Sequence, residues 1–596
     1  MKNPKDFAEI QQRIQTGENW RDSQFIPLWQ DCYRQYRSRR KEPKEGKKPQ
    51  EVGRSSVYVP YTFMQVEVIK ARLVESLFNS RPYISVLPRE SNDEQMAEHV
   101  QSLLSWQFDD RMGLERVFSE HLLADITIFG TAISYTGWLV RKRKTKHRTR
   151  VERPLEYMDG LPALQEDKTP VIMPFIEVVE EDELVYDDPV VQKIDLFDFF
   201  VDPAATNIAD ARYCGHREWL SKDNLKELEE TADWNINWKE LYAESPLYGG
   251  KQIRADVRGG SLALDESGEK NGLFKVTHYW EDGRHVVIIN DTVCALDEEN
   301  PFWHGMKPYD KCCYVTLSNE FYGMGIPEIL FDLQAELNTN RNQRIDYMSM
   351  ALRRMWKLRK GCGLMAKDLV WRQNGVIQVE EMDDVQEIAV QPLPASAFSH
   401  EDVVKQDMRD ATGCHDIIMG LGFTSNETAT TTMTKDNNAS IRFKDIVRAV
   451  VQDLLVPIAK KCVSLDQQFL EEDRLIRLSS SVEPGDSLLT VSPDDLMGCF
   501  DVTYVGTSVD ALANRELNKQ KIQEVYNLAM ANPLIQNNPN SQRALLRELL
   551  EAHDIRNVED ILPPKMNPLP EQAPPETPPQ LDLTEGMTPL NMGEPI

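Results

Sequence analysis

Gly325-Ile326-Pro327-Glu328 begins the stretch that decides the fold, and this stretch continues to about Leu470. Proline at the first helical position and glutamate in the first turn favour a helix start, and Arg359-Lys360-Gly361 favours its end. Apolar residues recur between these ends with helical spacing, at Ile326, Leu330, Leu333, Leu337, Met348, Leu352 and Met355. We therefore predict one helix over 325–360, far longer than the globular mean of about 11–12 residues.

A small β segment is predicted next, over 361–398. Residues 368–372 and 376–380 flank Gln373-Asn374-Gly375, and the Asn-Gly pair favours a tight hairpin turn. A second helix is predicted over 399–419, since Ser399 can cap it with a carboxylate three residues later, and Gly420-Leu421-Gly422 would end it.

A polar loop and a third helix complete the stretch. Residues 420–434 are rich in threonine and poor in helix formers. The helix predicted over 435–472 shows one apolar face, at Phe443, Val447, Val450, Leu454 and Ile458. Pro457 predicts a kink near its middle, because proline removes one backbone hydrogen bond.

The order of these elements resembles that of the portal (head-to-tail connector) proteins of tailed bacteriophages. Further segments that carry the resemblance are Phe63-Met64-Gln65-Val66-Glu67-Val68-Ile69-Lys70-Ala71-Arg72-Leu73, Ser80-Arg81-Pro82, Phe200-Val201-Asp202-Pro203, Phe302-Trp303-His304-Gly305, Asn319-Glu320-Phe321-Tyr322-Gly323-Met324-Gly325, Leu333-Gln334-Ala335-Glu336-Leu337-Asn338 and Asn342-Gln343. Each is weakly specific alone, but together they cover roughly Val57 to Ile561 in the family's order.

The resemblance implies an α+β portal fold with named parts. These would be an N-terminal helix and basic linker (1–56), a mixed α/β wing (57–324, with 474–510 returning to it), stem helix 1 (325–360), a small β-containing clip (361–398), stem helix 2 (399–419), a tunnel loop (420–434), a long kinked spine helix (435–472), helical crown (511–561) and a disordered proline-rich tail (562–596). Strands are expected in the wing near 83–87, 130–140, 176–179, 192–200, 273–280 and 285–290, with a helix over 221–231.

The resemblance also implies a function. Such proteins form a ring, usually of about twelve subunits, at one capsid vertex, through which double-stranded viral DNA is packaged and later ejected. The expected partners are the terminase large subunit, then tail adaptor proteins, with the major capsid and scaffolding proteins around the ring. The protein would assemble in the host cytoplasm and reside in the virion. A tail adaptor or an internal ejection protein is the alternative.

Composition fits a folded protein that does not grip nucleic acid tightly. The chain has 596 residues, 41% of them hydrophobic, and a formal net charge of -28. Such acidity argues against strong phosphate neutralisation, although it also serves solubility alone. Nine cysteines without paired spacing indicate reduced, buried thiols, and there is no apolar run of 18 residues, so no membrane span is expected.

Two groups of residues are candidates for the DNA channel. The tunnel loop supplies Asn426, Thr428, Thr430, Thr431 and Thr432, short polar side chains suited to weak contacts with a sliding backbone, unless the loop is only a connector. The stem supplies Arg341, Arg344, Arg353, Arg354 and Lys357. These cations could touch phosphates, or they could pair with acids such as Asp402, Asp407 and Asp410 in the same or the next subunit; the pairing is slightly favoured, since strong phosphate binding would slow translocation.

Two further surfaces are assigned from the sequence. By the resemblance, Trp371, Asn374, Gly375, Val376 and Glu380 of the clip would dock the terminase and the adaptors. The basic run 141–150 would suit a polyanion, but the acidic run 180–183 could neutralise it equally well. The basic segment 37–48 is interpreted as a solvated linker rather than a DNA contact.

Catalytic signatures are missing from the sequence. There is no Gly-x-x-x-x-Gly-Lys-Ser/Thr phosphate loop; Gly249-Gly250-Lys251-Gln252 lacks the hydroxyl residue that would hold magnesium. The Asp187-Asp188-Pro189 and Asp202-Pro203 carboxylates are more typical of turns than of metal ligands. We therefore expect no enzyme, no cofactor and no metal, although an enzyme of the packaging machinery remains a rival hypothesis.

Overall fold

The computed structural model describes residues 6–40, 54–78, 82–90, 93–154, 172–231, 234–239, 241, 254, 257, 273–352, 355–361, 364–365, 369, 373, 376, 378–379, 381, 383–388, 391, 394, 396–414, 442–477, 488–504, 522–523, 525–529 and 539–552. The chain divides into two compact units. The first comprises 1–480 and 485–513, and the second comprises 481–484 and 514–596.

The amino-terminal part of the first unit is mainly helical. Its elements are α1 (Phe7–Gln24), α2 (Ile26–Tyr36), α3 (Tyr61–Phe78), strand β1 (Ile84–Pro88), α4 (Glu94–Trp106), α5 (Leu114–Val117) and α6 (Leu123–Phe129). Single π-helical turns at Gln107–Arg111 and Phe118–Leu122 join the last three helices. Leu73, Leu103, Phe118 and Ile126 are fully buried, so these helices share one core. The strand expected near 83–87 is confirmed as β1.

The range 131–313, within the segment predicted to be the wing, forms two antiparallel sheets in its described part. The strands are β2 (Thr131–Pro154), β3 (Ile172–Ile194), β4 (Phe199–Val201), β5 (Tyr213–Leu220), β6 (Phe274–Glu281), β7 (Arg284–Ile289), β8 (Val293–Glu299) and β9 (Tyr309–Cys313), with helix α7 (Lys222–Thr231) between β5 and β6. One sheet has the order β3-β2-β9 and the other β4-β5-β6-β7-β8. The single strand expected over 192–200 is wrong, because a turn over 195–198 separates β3 from β4 and the Asp195 side chain accepts from the Phe197 N–H.

Three glycines join the wing to the stem. Gly130 ends α6 with a φ of 83°, and Gly323 and Gly325 pass against it. A Cβ on Gly323 would lie 2.6 Å from the Val315 carbonyl oxygen, and one on Gly325 would lie 2.7 Å from the Gly130 nitrogen, so a side chain at either position would collide with backbone. Directly before Gly323, Phe321 and Tyr322 are buried, and Tyr322 packs on Trp20, Phe25 and Trp29.

The stem helices are shorter than the sequence predicts. The first is α8 (Ile326–Ile329) followed by α9 (Phe331–Leu352), and Met355–Leu358 forms a strand, β10, instead of continuing to residue 360. Strand β10 pairs antiparallel with β11 (Val385–Ile388), so inter-strand hydrogen bonds replace the helical ones. The predicted strand over 376–380 is also wrong, since Val376, Gln378 and Val379 lie outside any strand.

The second stem helix, α10 (Ser396–Thr412), begins three residues before Ser399 and ends before Met419. Ser399 therefore lies inside the first turn, where its hydroxyl donates to the Ser396 carbonyl. Gly413 ends the helix with a φ of 71°, a left-handed conformation that glycine adopts without steric cost.

The spine helix begins at residue 442 in the described structure. Residues 442–450 are helical, a π-helical turn follows at Val451–Leu455, and α11 (Val456–Phe469) continues the rod. The π turn lies immediately before Pro457, where the sequence predicts a kink, because a prolyl nitrogen cannot donate the regular helical hydrogen bond. Val450, Leu454, Ile458 and Cys462 are all fully buried along its inner face.

The chain then returns to its beginning. Strands β12 (Arg474–Arg477) and β13 (Leu488–Val491) pair with each other, and β14 (Phe500–Tyr504) pairs with β1 in the register Ile84↔Tyr504. In the second unit, helix α12 (Pro539–Ala552) is described. Among the described helices, none combines the length and apolar character needed to cross a bilayer.

Candidate functional site

Glu401 on α10 joins the two stem helices. Its carboxylate is bound by Arg341 of α9, lies 2.6 Å from Nη2 of Arg344, and lies 3.0 Å from Nζ of Lys405. The Glu401 side chain is only 5% exposed. Burial alone would raise the pKa of Glu401, but hydrogen bonds from Arg341 and Lys405 outweigh it and hold the pKa below its usual value.

Both stem arginines are therefore engaged within one chain. The Arg344 guanidinium also lies 5.5 Å from the ring centre of Phe398, within the range of a cation–π contact. The acids expected from the sequence as partners, Asp402, Asp407 and Asp410, lie exposed, and the pairing acid is their neighbour Glu401. The helical period alone could not identify Glu401 as the partner of these arginines. Neighbouring carboxylates on α10 differ only in the side of the helix on which they lie, and the sequence does not show which side faces α9.

The other stem cations differ from this pair. Lys357 lies exposed on β10, in register with Gln386 of β11. Arg353 and Arg354 lie outside the described residues. Arg359, one residue beyond β10, forms an ion pair with Glu381 and lies 3.5 Å from Asp384, which closes the end of the small clip sheet.

The clip presents apolar side chains to solvent. Met355 is 68% exposed and Val376 is 87% exposed. Exposed neighbours in sequence are Met348, Met350, Leu352, Leu358 and Met365. Of the predicted docking residues, Val376 is described and exposed, whereas Trp371, Asn374, Gly375 and Glu380 lie outside the described residues. An exposed apolar surface of this kind on one chain is typical of a region that contacts another protein.

A ladder of four polar side chains on α9 binds the segment before α3 through hydrogen bonds. This contact is not among those predicted from the sequence. Gln334, Asn338, Asn342 and Asp346 recur every fourth residue and therefore lie along one helix face. The segment 55–62 lies along this face.

The hydrogen bonds of the ladder alternate along the segment. Asp346 accepts from the Ser55 N–H at 2.6 Å, and Asn342 accepts from the Val57 N–H at 2.7 Å. Asn342 also donates to the Val57 carbonyl at 2.9 Å, and Asn338 accepts from the Val59 N–H at 2.9 Å. Gln334 accepts from the Thr62 N–H at 3.1 Å. These side chains thus bind the backbone of the segment much as a neighbouring strand would. The recurrence of polar residues at every fourth position is the sequence signal that could have revealed this contact.

The basic run in the wing lies within a two-stranded ribbon. Strands β2 and β3 pair from Ile133↔Ile194 to Pro154↔Ile172, with one register irregularity at Arg141/Lys142. The register places Arg143 opposite Glu183, Lys144 opposite Asp182 and Lys146 opposite Glu180. The strand pairing thus brings the acidic run beside the basic run within one chain. This is the neutralisation that the sequence offered as an alternative to polyanion binding.

The Asp-Pro carboxylates are occupied by arginines. Asp188 is fully buried and lies 2.7 Å from Arg111 Nε and 2.8 Å from Arg474 Nη1. Asp202 pairs with Arg212 Nε at 2.5 Å and accepts from the Ala204 N–H at 3.1 Å, as expected of a turn residue. The hydrogen bonds from Arg212 hold the pKa of Asp202 below its usual value.

The tunnel-loop candidates Asn426, Thr428, Thr430, Thr431 and Thr432 lie outside the described residues. The described ends of the loop are Cys414, which is buried after α10, and Arg442, which donates to the Asp410 carbonyl at 3.3 Å.

Comparison with protein families gives one match that spans nearly the whole chain. Residues 7–589 match the family model described as phage SU10 portal protein. The matched range includes all the helices and strands named above, so the match does not rest on one element. The chain therefore belongs to the phage SU10 portal protein family and is a portal protein of a tailed bacteriophage.

Proposed function

We propose that the protein assembles into a closed ring of about twelve copies at one capsid vertex, and that double-stranded viral DNA enters and leaves through the centre of this ring. The observation that carries the proposal is a group of exposed apolar side chains at the end of the first predicted stem helix and on the strand that follows it, namely Met348, Met350, Leu352, Met355 and Leu358. A single chain gains nothing from exposing these side chains, whereas neighbouring copies would bury them.

The acidic chain supports a conduit that DNA passes without adhering. Arg341 and Arg344 share the Glu401 carboxylate, which offsets part of their positive charge and weakens their hold on phosphates. Within the tunnel loop, we assign weak contacts with the sliding DNA backbone to Asn426, Thr428, Thr430, Thr431 and Thr432. Deleting Thr430–Thr432 is expected to impair packaging or DNA retention while rings still form; a failure to assemble would instead assign the loop a structural role.

The clip is proposed as the docking surface, first for the terminase large subunit and then for the tail adaptor proteins. Val376 is exposed at its surface, and Trp371, Asn374, Gly375 and Glu380 are assigned to the same surface from the sequence. The major capsid and scaffolding proteins would surround the wing. In this proposal the portal is not an enzyme, and the terminase supplies the energy for DNA movement.

The test is native mass spectrometry of the purified chain, with negative-stain imaging. Closed rings of about twelve 68.5 kDa subunits with a central hole are expected. A stable monomer or dimer at high concentration would reject the ring and favour an adaptor or an internal ejection protein. ATP hydrolysis by the purified chain would favour an enzyme of the packaging machinery.

A further inference from the structure

Three histidines lie on one face of the five-stranded wing sheet. His216 of β5 is directly opposite His278 of β6, and their rings stack with centres 4.8 Å apart. His285 of β7 stacks on the other side of His278, with ring centres 5.7 Å apart. Glu218 lies two residues beyond His216 on the same strand and therefore on the same face. The sheet, not a sequence motif, brings these four residues together.

Three of them place ligand atoms around one point, with the rings of His216 and His278 stacked and nearly parallel. One nitrogen each of His216 and His278 and one carboxylate oxygen of Glu218 lie within 4.8 Å of one another. Nε2 of His278 and Oε2 of Glu218 are 3.8 Å apart, too far for a hydrogen bond. Two ligands of a tetrahedral metal at about 2.0–2.2 Å are roughly 3.4 Å apart. Binding would therefore bring the side chains closer and turn one of the stacked rings so that both nitrogens face the ion.

The surrounding hydrogen bonds direct the correct nitrogens to this point. Nδ1 of His285 lies 3.0 Å from Oε1 of Glu298, and Nε2 of His285 lies 3.4 Å from Nδ1 of His278. Because the Glu298 carboxylate accepts the His285 proton, His285 Nε2 accepts from His278 Nδ1, and His278 Nε2 keeps its lone pair. Nδ1 of His216 lies 2.6 Å from the Tyr309 hydroxyl, which leaves Nε2 for a ligand. Such outer partners are typical of histidines that bind metals.

The geometry places two electron-pair donors near each other. Nε2 of His278 and a carboxylate oxygen of Glu218 are too far apart to share a hydrogen bond, and a cation between such donors would stabilise both.

We propose that His216, Glu218 and His278 bind one divalent transition-metal ion of the zinc class, with water at the remaining position. Two imidazoles and a carboxylate suit Zn²⁺, and these ligands favour it over Ca²⁺ or Mg²⁺, which take oxygen ligands. The Glu218 side chain is 49% exposed, so an ion can reach the site from solvent on this side. The bound ion would link strand β5 to strand β6. This metal site goes beyond the proposed ring function and does not depend on it.

The experiment is titration of the metal-free full chain with Zn²⁺ by calorimetry, and with Co²⁺ by absorption spectroscopy. Wild type is expected to bind one ion per chain and to give the d–d bands of a site with nitrogen and oxygen ligands. His278→Gln and Glu218→Gln should weaken binding by at least about 100-fold. The matched control is His121→Gln, which removes an exposed histidine outside the cluster and should bind as wild type does.

Two results would overturn the proposal. One is the absence of saturable Zn²⁺ binding by wild type, which would mean that a shared proton joins Glu218 to His278. The other is equal binding by wild type and Glu218→Gln, which would mean that surface groups take up the ion. Far-ultraviolet circular dichroism checks the fold of each variant; if His278→Gln is unfolded, Glu218→Gln decides, because its half-exposed side chain can be replaced without disturbing the core.

Discussion

At the scale of single residues, Glu401 determines how the stem cations behave. Its buried carboxylate is shared by Arg341, Arg344 and Lys405, so removing its charge would leave two guanidinium groups without their main partner. The conservative change Glu401→Gln keeps the size of the side chain. It therefore isolates the effect of the charge.

We expect Glu401→Gln to lower the free energy of local opening of α10 by about 2 kcal/mol at neutral pH, measured by hydrogen exchange of the α10 amides. Asp402→Asn is the control, because the exposed Asp402 reaches only Lys405 at 3.7 Å. Equal effects of the two changes would contradict the role of Glu401.

The difference between wild type and Glu401→Gln should depend on pH. Because the pKa of Glu401 is lower in the folded chain than its ordinary value of 4.5, its stabilisation is complete above that value and is lost as the pH falls through the folded pKa. Hydrogen exchange at a series of pH values should therefore show a constant gap between the two proteins above pH 4.5 and a gap that narrows as the pH falls further. A gap that does not narrow at any acidic pH would mean that the charge of Glu401 is not the cause.

At the scale of elements, the ladder on α9 orders the segment before α3. Asn342 carries most of this interaction, since it accepts from Val57 N–H, donates to the Val57 carbonyl and contacts the Ser55 hydroxyl at 3.0 Å. Asn342→Ala should cost about 2–3 kcal/mol and increase exchange at the Ser55, Val57 and Val59 amides. Gln343→Ala, an exposed neighbour, should leave these amides protected. Unchanged protection in Asn342→Ala would show that other contacts hold the segment.

The β2–β3 ribbon offers a test of why its basic run is present. Lys144→Glu places like charges opposite each other at the Lys144↔Asp182 pair and should destabilise the ribbon by about 0.5–1 kcal/mol. Adding Asp182→Lys restores opposite charges and should restore resistance of the ribbon to limited proteolysis. If DNA binding falls in Lys144→Glu and the second change does not rescue the ribbon, the run serves DNA rather than the opposite strand.

At the scale of the whole molecule, the exposed apolar side chains at the end of the first predicted stem segment, around Met355, are expected to be covered by neighbouring copies. Met355→Glu puts a charge at a position that is 68% exposed in one chain. The variant should shift the mass distribution from rings towards single chains, because burying an unpaired charge at a subunit contact is costly. The melting temperature of the isolated chain should change little. The control is Val57→Glu, 46% exposed and away from the clip, and equal loss of rings in both variants would contradict the assignment.

The cysteines show that buried, reduced thiols can be predicted from the number and spacing of cysteines in the sequence. Seven of the eight described cysteines are buried and none of the eight forms a disulfide, as the irregular spacing indicated. Burial raises the pKa of the Cys32, Cys312 and Cys462 thiols, so these groups remain protonated. Cys499 is the exposed one.

The sequence by itself determined the family, the mixed α and β character and the existence of many of the described helices and strands, because these depend on local spacing, proline, glycine and the order of segments. Only the tertiary structure decided where the first stem helix ends, which acid binds Arg341 and Arg344, and how His216 meets His278. Strand β10 forms only because β11, 27 residues further on, supplies its hydrogen bonds. Glu401, the α9 ladder and the histidine cluster depend on side chains that are distant in sequence and adjacent in space, and local propensity carries no information about such pairs.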